Sequence, residues 1–169
     1  GRVDTDTINA IEGNLATTAG TCAVMGTAST MACIAETLGL TLPGTAAIPS
    51  VHADRLRAAE ATGAQALETA RLGLTPSKLI TEKSVENALR VLLALGGSTN
   101  GILHLTAIAG RRGIAISLNR LNELSDTTPV LVNLKPTGVG YMEDFNTAGA
   151  MGTLLRELKP LLHLDCQTV

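Results

Sequence analysis

The sequence predicts an α/β fold, with helices packed around a small, mostly parallel sheet. Two observations lead there. Several segments place apolar residues at helical spacing, and one short β-branched run, Pro129-Val130-Leu131-Val132-Asn133-Leu134, is bounded by turn residues as a buried strand would be. A third bears on packing. The 169 residues include no Trp, one Tyr (Tyr141) and one Phe (Phe145), so the core must come from Leu, Ile, Val, Ala and Met. Such a core suits Gly- and Ala-rich helices whose backbones approach closely.

In chain order, residues 4–17 read as a weak helix on Ile8, Ile11 and Leu15. Residues 18–32 are almost all small, and helical character then strengthens to Leu38, with Gly39 fitting the position just past a helix end. Leu42-Pro43-Gly44 makes a turn. Ala53 to Arg71 alternates Ala with charge and reads as an amphipathic surface helix, which Thr75-Pro76-Ser77 ends. Ser84 is expected to cap a helix carrying Val85, Ala88, Leu89, Leu92 and Leu93. Gly96 to Asn100 interrupts, and a helix resumes from Ile102 to Arg111. Ser117 caps a short helix to Leu124, and Thr147 to Leu158 forms the last.

With 13 Lys+Arg against 15 Asp+Glu and no basic patch, electrostatic binding to nucleic acid or an anionic membrane is not expected. No apolar run reaches the roughly 18 residues of a spanning helix, and no leader is evident, so the chain reads as soluble. Three cysteines at wide spacing form neither a disulfide framework nor a compact zinc pattern, which points to a reducing compartment, the cytoplasm. The chain opens at Gly1 and stops at Val169 after an apolar stretch, as an internal fragment would.

Three places could carry chemistry. Cys22 lies between Gly20 and Gly26, where the helix that follows would aim its amides at the sulfur, a setting for a thiolate ligand or nucleophile. The competing reading is a packed thiol, since free Cys is among the most buried residue types. Ser98, Thr99 and Asn100 open a helix after two glycines, and form either an anion site or a simple cap. Lys135, in Lys135-Pro136-Thr137-Gly138, follows the strand candidate, where open α/β sheets bind ligands; a solvated surface lysine is the plainer reading. His52-Ala53-Asp54-Arg55 reads as the start of a solvated helix face. His104 and His163 read as core histidines.

Together these segments resemble the dihydroxy-acid dehydratase family, which includes phosphogluconate and pentonate (sugar-acid) dehydratases. The resemblance rests on four stretches: Gly20 through Met31 around Cys22; Leu38 to Gly44; Glu86-Asn87-Ala88 through Asn100 and on to Leu103-His104-Leu105; and Pro129 to Gly138 continuing into Met142-Glu143-Asp144. It implies a hydro-lyase that removes water from a 2,3-dihydroxy acid or aldonic acid to give a 2-keto acid. It implies an iron–sulfur cluster, [2Fe–2S] or [4Fe–4S], held by three cysteines of which Cys22 is the third, and Mg²⁺ near a modified lysine. The other ligands and the base, a serine in a C-terminal domain, have no counterpart in residues 1–169, so the resemblance makes this chain the central part of an N-terminal domain, inactive alone. It also implies a homodimer. Thr27 to Met31 with Ala46-Ala47-Ile48-Pro49 and Ala53-Asp54-Arg55 resembles the pentonate branch more closely, which leans toward a sugar-acid substrate, the branched dihydroxy acid being the close second. The alternatives from other classes are a catalytically silent helical binding domain, and a thiol enzyme pairing Cys22 with His52 or His104.

Overall fold

Caps and glycines divide the chain into short helices, seen in a computed structural model that describes residues 3–13 and 22–169. In order they are α1 (Thr5–Gly13), α2 (Thr27–Thr37), α3 (Ala53–Arg71), α4 (Pro76–Leu79), α5 (Glu82–Ala94), α6 (Thr99–Arg111), α7 (Leu118–Thr127), α8 (Met142–Thr147) and α9 (Ala150–Leu158), followed by a 3-10 turn at Lys159–Leu161. The expectations for Gly20 and for the far end of the first helix fall outside the described residues.

The α/β expectation is overturned: among the described residues there is no strand and no sheet, only an isolated bridge between Leu134 and Gly140. The strand candidate is an extended loop. Both the Leu131 and Val132 amides donate to one carbonyl, that of Ala94 at the end of α5, at 2.9 and 3.2 Å. The segment therefore closes the orphan end of a helix instead of pairing with a strand.

The cap residues explain the boundaries. Thr81, rather than Ser84, begins α5: its hydroxyl accepts the Ser84 amide at 3.2 Å, and the Ser84 hydroxyl accepts the Thr81 amide at 2.9 Å. Ser117 begins α7 by accepting the Arg120 amide. The helix expected from Thr147 to Leu158 begins only at Ala150, because Thr147 ends α8 and Gly149 turns left-handed at φ +94 between α8 and α9.

The core lies on both sides of α5. Val91, Ala94 and Leu95 join Met25, Cys33, Phe145, Met151 and Leu154 in one apolar cluster. Val85, Ala88, Leu89 and Leu92 join Ile34, Leu38, Leu105 and Leu124 in the other. Helix α2 is shared in the same way, Cys33 facing the first cluster and Ile34 the second. Fully burying each Leu or Ile of this kind is worth about 1.5–3 kcal/mol. The small residues allow the close approach: a Cβ on Gly101 of α6 would stand 2.8 Å from Leu92 and 3.1 Å from Thr30.

Candidate functional site

Residues 22–26 bend between Cys22 and the start of α2, and they are tied on every side. The Met25 amide donates to the Lys135 carbonyl and the Met142 amide to the Ala23 carbonyl, both at 2.9 Å, while the Ser29 hydroxyl donates to the Val24 carbonyl at 3.0 Å. Met25 itself is buried in the core. Cys22 is half-buried and free. A Cβ added to Gly26 would sit 3.8 Å from its Sγ, so the sulfur lies against the N-cap of α2. No side chain caps that helix. Its first-turn amides and the positive end of its dipole are therefore beside the thiol.

The second loop meets the same helix end. Gly96 ends α5 with φ +57, a left-handed turn that an L side chain rarely adopts. Ser98 caps α6 by accepting the Asn100 amide at 3.3 Å, and its Oγ lies 2.9 Å from Thr27 Oγ1. The Asn100 amide group donates to that same Thr27 oxygen at 3.1 Å, and the Ser98 amide donates to the buried Thr30 hydroxyl at 3.0 Å. Two helix N-termini are thus joined by a cluster of hydroxyls. The three residues read together from the sequence separate here. Ser98 and Asn100 make the joint, whereas Thr99 is exposed and its side chain makes no hydrogen bond among the described residues.

The third loop completes the triangle. The Lys135 amide donates to Gly140 at 2.8 Å and the Gly138 amide to Leu134 at 2.7 Å, closing a tight reversal that includes a cis Lys135–Pro136 bond. Thr137 Oγ1 comes within 3.6 Å of where a Gly96 Cβ would be. So the Cys22, Ser98 and Lys135 loops, far apart in sequence, pack on one another.

Lys135 is half-buried; its ammonium donates to the Tyr141 hydroxyl and lies 4.1 Å from the ring centroid. Sequence reasoning did not single out Tyr141 as the partner of Lys135. The available signal was a lone tyrosine, in a chain almost without aromatics, six residues beyond Lys135.

Other candidates are placed elsewhere. His52 caps α3 and accepts the Asp54 amide, as expected of a solvated helix start. His104 is exposed on α6, so the core-histidine expectation is corrected: Leu105 points inward and its neighbour outward. His163 is also no core residue; its half-exposed ring lies 3.3 Å from Glu86. Neither His52 nor His104 shares a hydrogen bond with Cys22 among the described residues. Cys33 is fully buried in α2, where desolvation, with the Glu36 charge adding to it, pushes its thiol up to about 12. Cys166 lies 3.6 Å from the Asn87 amide group, and burial raises its thiol. No three of the described His, Cys, Asp and Glu gather as a metal cage. An apolar groove of about 520 Å³ runs along Leu131, Leu134, Phe145 and Leu154; none of Cys22, Ser98, Thr99, Asn100 or Lys135 lines it, although Val139 and Gly140 of the Lys135 reversal do.

The whole chain, residues 1–169, matches the family model described as dihydroxy-acid/6-phosphogluconate dehydratase N-terminal. The dihydroxy-acid dehydratase of Methanococcoides burtonii is 45% identical over 169 residues, which are 100% of this chain and 31% of that protein. Dihydroxy-acid dehydratase 1 of Methanosarcina acetivorans is 46% identical over 151 residues, 89% of this chain and 27% of that protein. A 6-deoxy-6-sulfo-D-gluconate dehydratase of Pseudomonas putida is 41% identical over 167 residues, 99% of this chain and 29% of that protein. The chain spans about a third of the length of the curated relatives it matches. It belongs to the dihydroxy-acid/6-phosphogluconate dehydratase family, matching that family's N-terminal region along its whole length.

Proposed function

We propose that the protein is a hydro-lyase that removes water from a 2,3-dihydroxy acid or a sugar acid to give a 2-keto acid, and that this chain supplies one wall of its active site. The observation that carries the reading is the convergence of the Cys22, Ser98 and Lys135 loops, in a chain whose relatives are dehydratases of both substrate kinds.

The residues fit one part of an iron–sulfur site. Cys22 is a free, half-buried thiol against uncapped helix amides, which suits a thiolate ligand. Cys33 is sealed in the core and Cys166 lies at the C-terminal segment, so this chain contributes a single sulfur, with further cysteines coming from elsewhere in the protein. When bound, the cluster and Mg²⁺ would supply Lewis acidity to the substrate's hydroxyl and carboxylate. The Mg²⁺ ligands and the base that takes the proton beside the carboxylate also belong to other parts of the protein. The chain's own residues bind and orient. The Lys135 ammonium offers positive charge to a carboxylate, Thr99 offers a hydroxyl to a substrate hydroxyl, and Ser98 and Asn100 hold α6 against α2. A thiol ligand must remain reduced, which supports the cytoplasmic location we propose; we further propose a homodimer.

The test is anaerobic assay of the full-length protein with a branched 2,3-dihydroxy acid beside a panel of aldonic acids, following the 2-keto acid. Dehydration of one of these supports the reading, and their relative kcat/KM identifies the substrate. Failure on all of them by iron-loaded protein contradicts it. Residues 1–169 alone should form no 2-keto acid, and turnover by them would overturn the division of roles given above.

A further inference from the structure

Lys135 is fixed at both ends. Its amide donates to the Gly140 carbonyl at 2.8 Å and its own carbonyl accepts the Met25 amide at 2.9 Å, which fastens it to the Cys22 loop. Tyr141 is fixed beside it. Its amide donates to Asp144 Oδ2 at 2.7 Å, and the next residue, Met142, binds the Ala23 carbonyl on the other side of that loop. Between these anchors the ammonium donates to the phenol oxygen and stands 4.1 Å from the ring centroid. A lysine on a turn ordinarily leaves its ammonium in bulk water, because ordering its long side chain costs entropy. Here the ring face and the phenol oxygen hold it in one place.

The nature of the partner matters. Lys83 is held by Asp165, Arg57 by Asp54, and Arg120 by Glu86 and Glu123, each of these cations meeting a carboxylate that offsets its charge. Among the described residues Lys135 meets none within ion-pair distance; Asp144, the acid nearest in sequence that bonds this turn, points Oδ2 to the Tyr141 amide. A hydroxyl, unlike a carboxylate, brings no formal charge of its own, so it orients the ammonium and leaves its positive charge for an incoming anion.

We propose that Tyr141 is the positioning residue for Lys135, and that the pair forms the corner that binds the substrate carboxylate beside the Cys22 loop. This rests on the function proposed above, and it names two residues of this chain as the groups that recognise the acid. Tyr141 acts through Lys135, so removing it should matter only while the ammonium is present.

A double-mutant cycle in the full-length protein tests this. Tyr141→Phe keeps the ring and removes the oxygen; it should raise KM about tenfold with kcat changed by less than about twofold. Lys135→Met should raise KM by more, and the double variant should be no worse than Lys135→Met alone. A wild-type KM in Tyr141→Phe, or penalties that add in the double variant, would overturn the proposal. A second measurement is independent of turnover. After reductive ¹³C-methylation the Lys135 methyl resonance, assigned with Lys135→Arg, should be shifted upfield by the ring beneath it and return to the free-lysine position in Tyr141→Leu. An unshifted resonance in the wild type overturns the pairing. Protein that shows the shift but dehydrates no hydroxy acid keeps the pairing and refutes the function proposed for it.

Discussion

The hydroxyls of Thr27 and Ser98 lie 2.9 Å apart, so the first residue of α2 and the cap of α6 share a hydrogen bond. This joint holds two helix N-termini at one spot and leaves Thr99, the residue between Ser98 and Asn100, free of the scaffold. On the function proposed above, structure and substrate handling fall on neighbouring residues.

Ser98→Ala should lower thermal stability by about 1 kcal/mol, the usual cost of a lost cap, with further loss as Thr27 and Asn100 give up a partner. Thr99→Val, which breaks no hydrogen bond among the described residues, should leave the melting temperature unchanged and lower kcat/KM about tenfold. Calorimetry and steady-state kinetics on the two full-length variants check this. A Thr99→Val protein that melts early but turns over normally would assign the residue to the scaffold.

Gly97 has no positive φ, and its lack of a side chain serves close packing. An added Cβ would stand 2.9 Å from Thr30 Cγ2 and 3.2 Å from the Leu92 carbonyl oxygen. Gly97→Ala should therefore destabilise by about 1–3 kcal/mol, and it should push Thr30 off the Ser98 amide. Denaturant unfolding measures the loss, and amide exchange at Ser98 reports the broken bond.

Much of this arrangement was legible in the sequence. The helix over Ala53–Arg71 and the Ser117 cap follow from polar punctuation, and Cys22, Ser98 and Lys135 stand out because glycines and prolines surround them. The expected sheet is absent among the described residues. Val130, Leu131 and Val132 carry strand propensity, but propensity cannot say where their amides go, and Leu131 and Val132 both find the Ala94 carbonyl. Nor could spacing show that Lys135 leans on Tyr141, since that contact depends on the tight reversal between them. The break at Gly149 was missed because one glycine inside an apolar periodic run reads as tolerable.

Cys33 provides a pH signature. Its thiol is raised to about 12 in the folded chain by burial first and by Glu36 second, against an ordinary value of 9.0. The unfolded chain ionises this thiol at the lower pH, so the stabilising effect is intact below about pH 9 and is lost as pH rises toward 12. Cys33→Ala should be less stable than wild type at neutral pH, through lost core contacts, and should lose less stability between those two pH values. Urea titrations of both proteins across that window read the difference. Parallel slopes would show that the thiol does not carry it.

Asn87 ties the C-terminal segment to α5. Its side chain donates to the His163 carbonyl at 2.8 Å and accepts the His163 amide at 2.9 Å, and the side chain is buried. Asn87→Ala leaves both backbone groups without partners and should cost about 2–4 kcal/mol for the two bonds together. Limited proteolysis should then cut within residues 162–169 well before the helices, whereas the wild type should resist there.

Cys22 is proposed as the one sulfur of this chain that meets an iron–sulfur cluster. Full-length Cys22→Ser, Cys33→Ala and Cys166→Ala proteins, reconstituted anaerobically, should be compared for iron content and visible absorption. Cys22→Ser should lose most of its iron and its visible band, while the other two stay close to wild type. Unchanged iron and an unchanged band in Cys22→Ser would contradict the account.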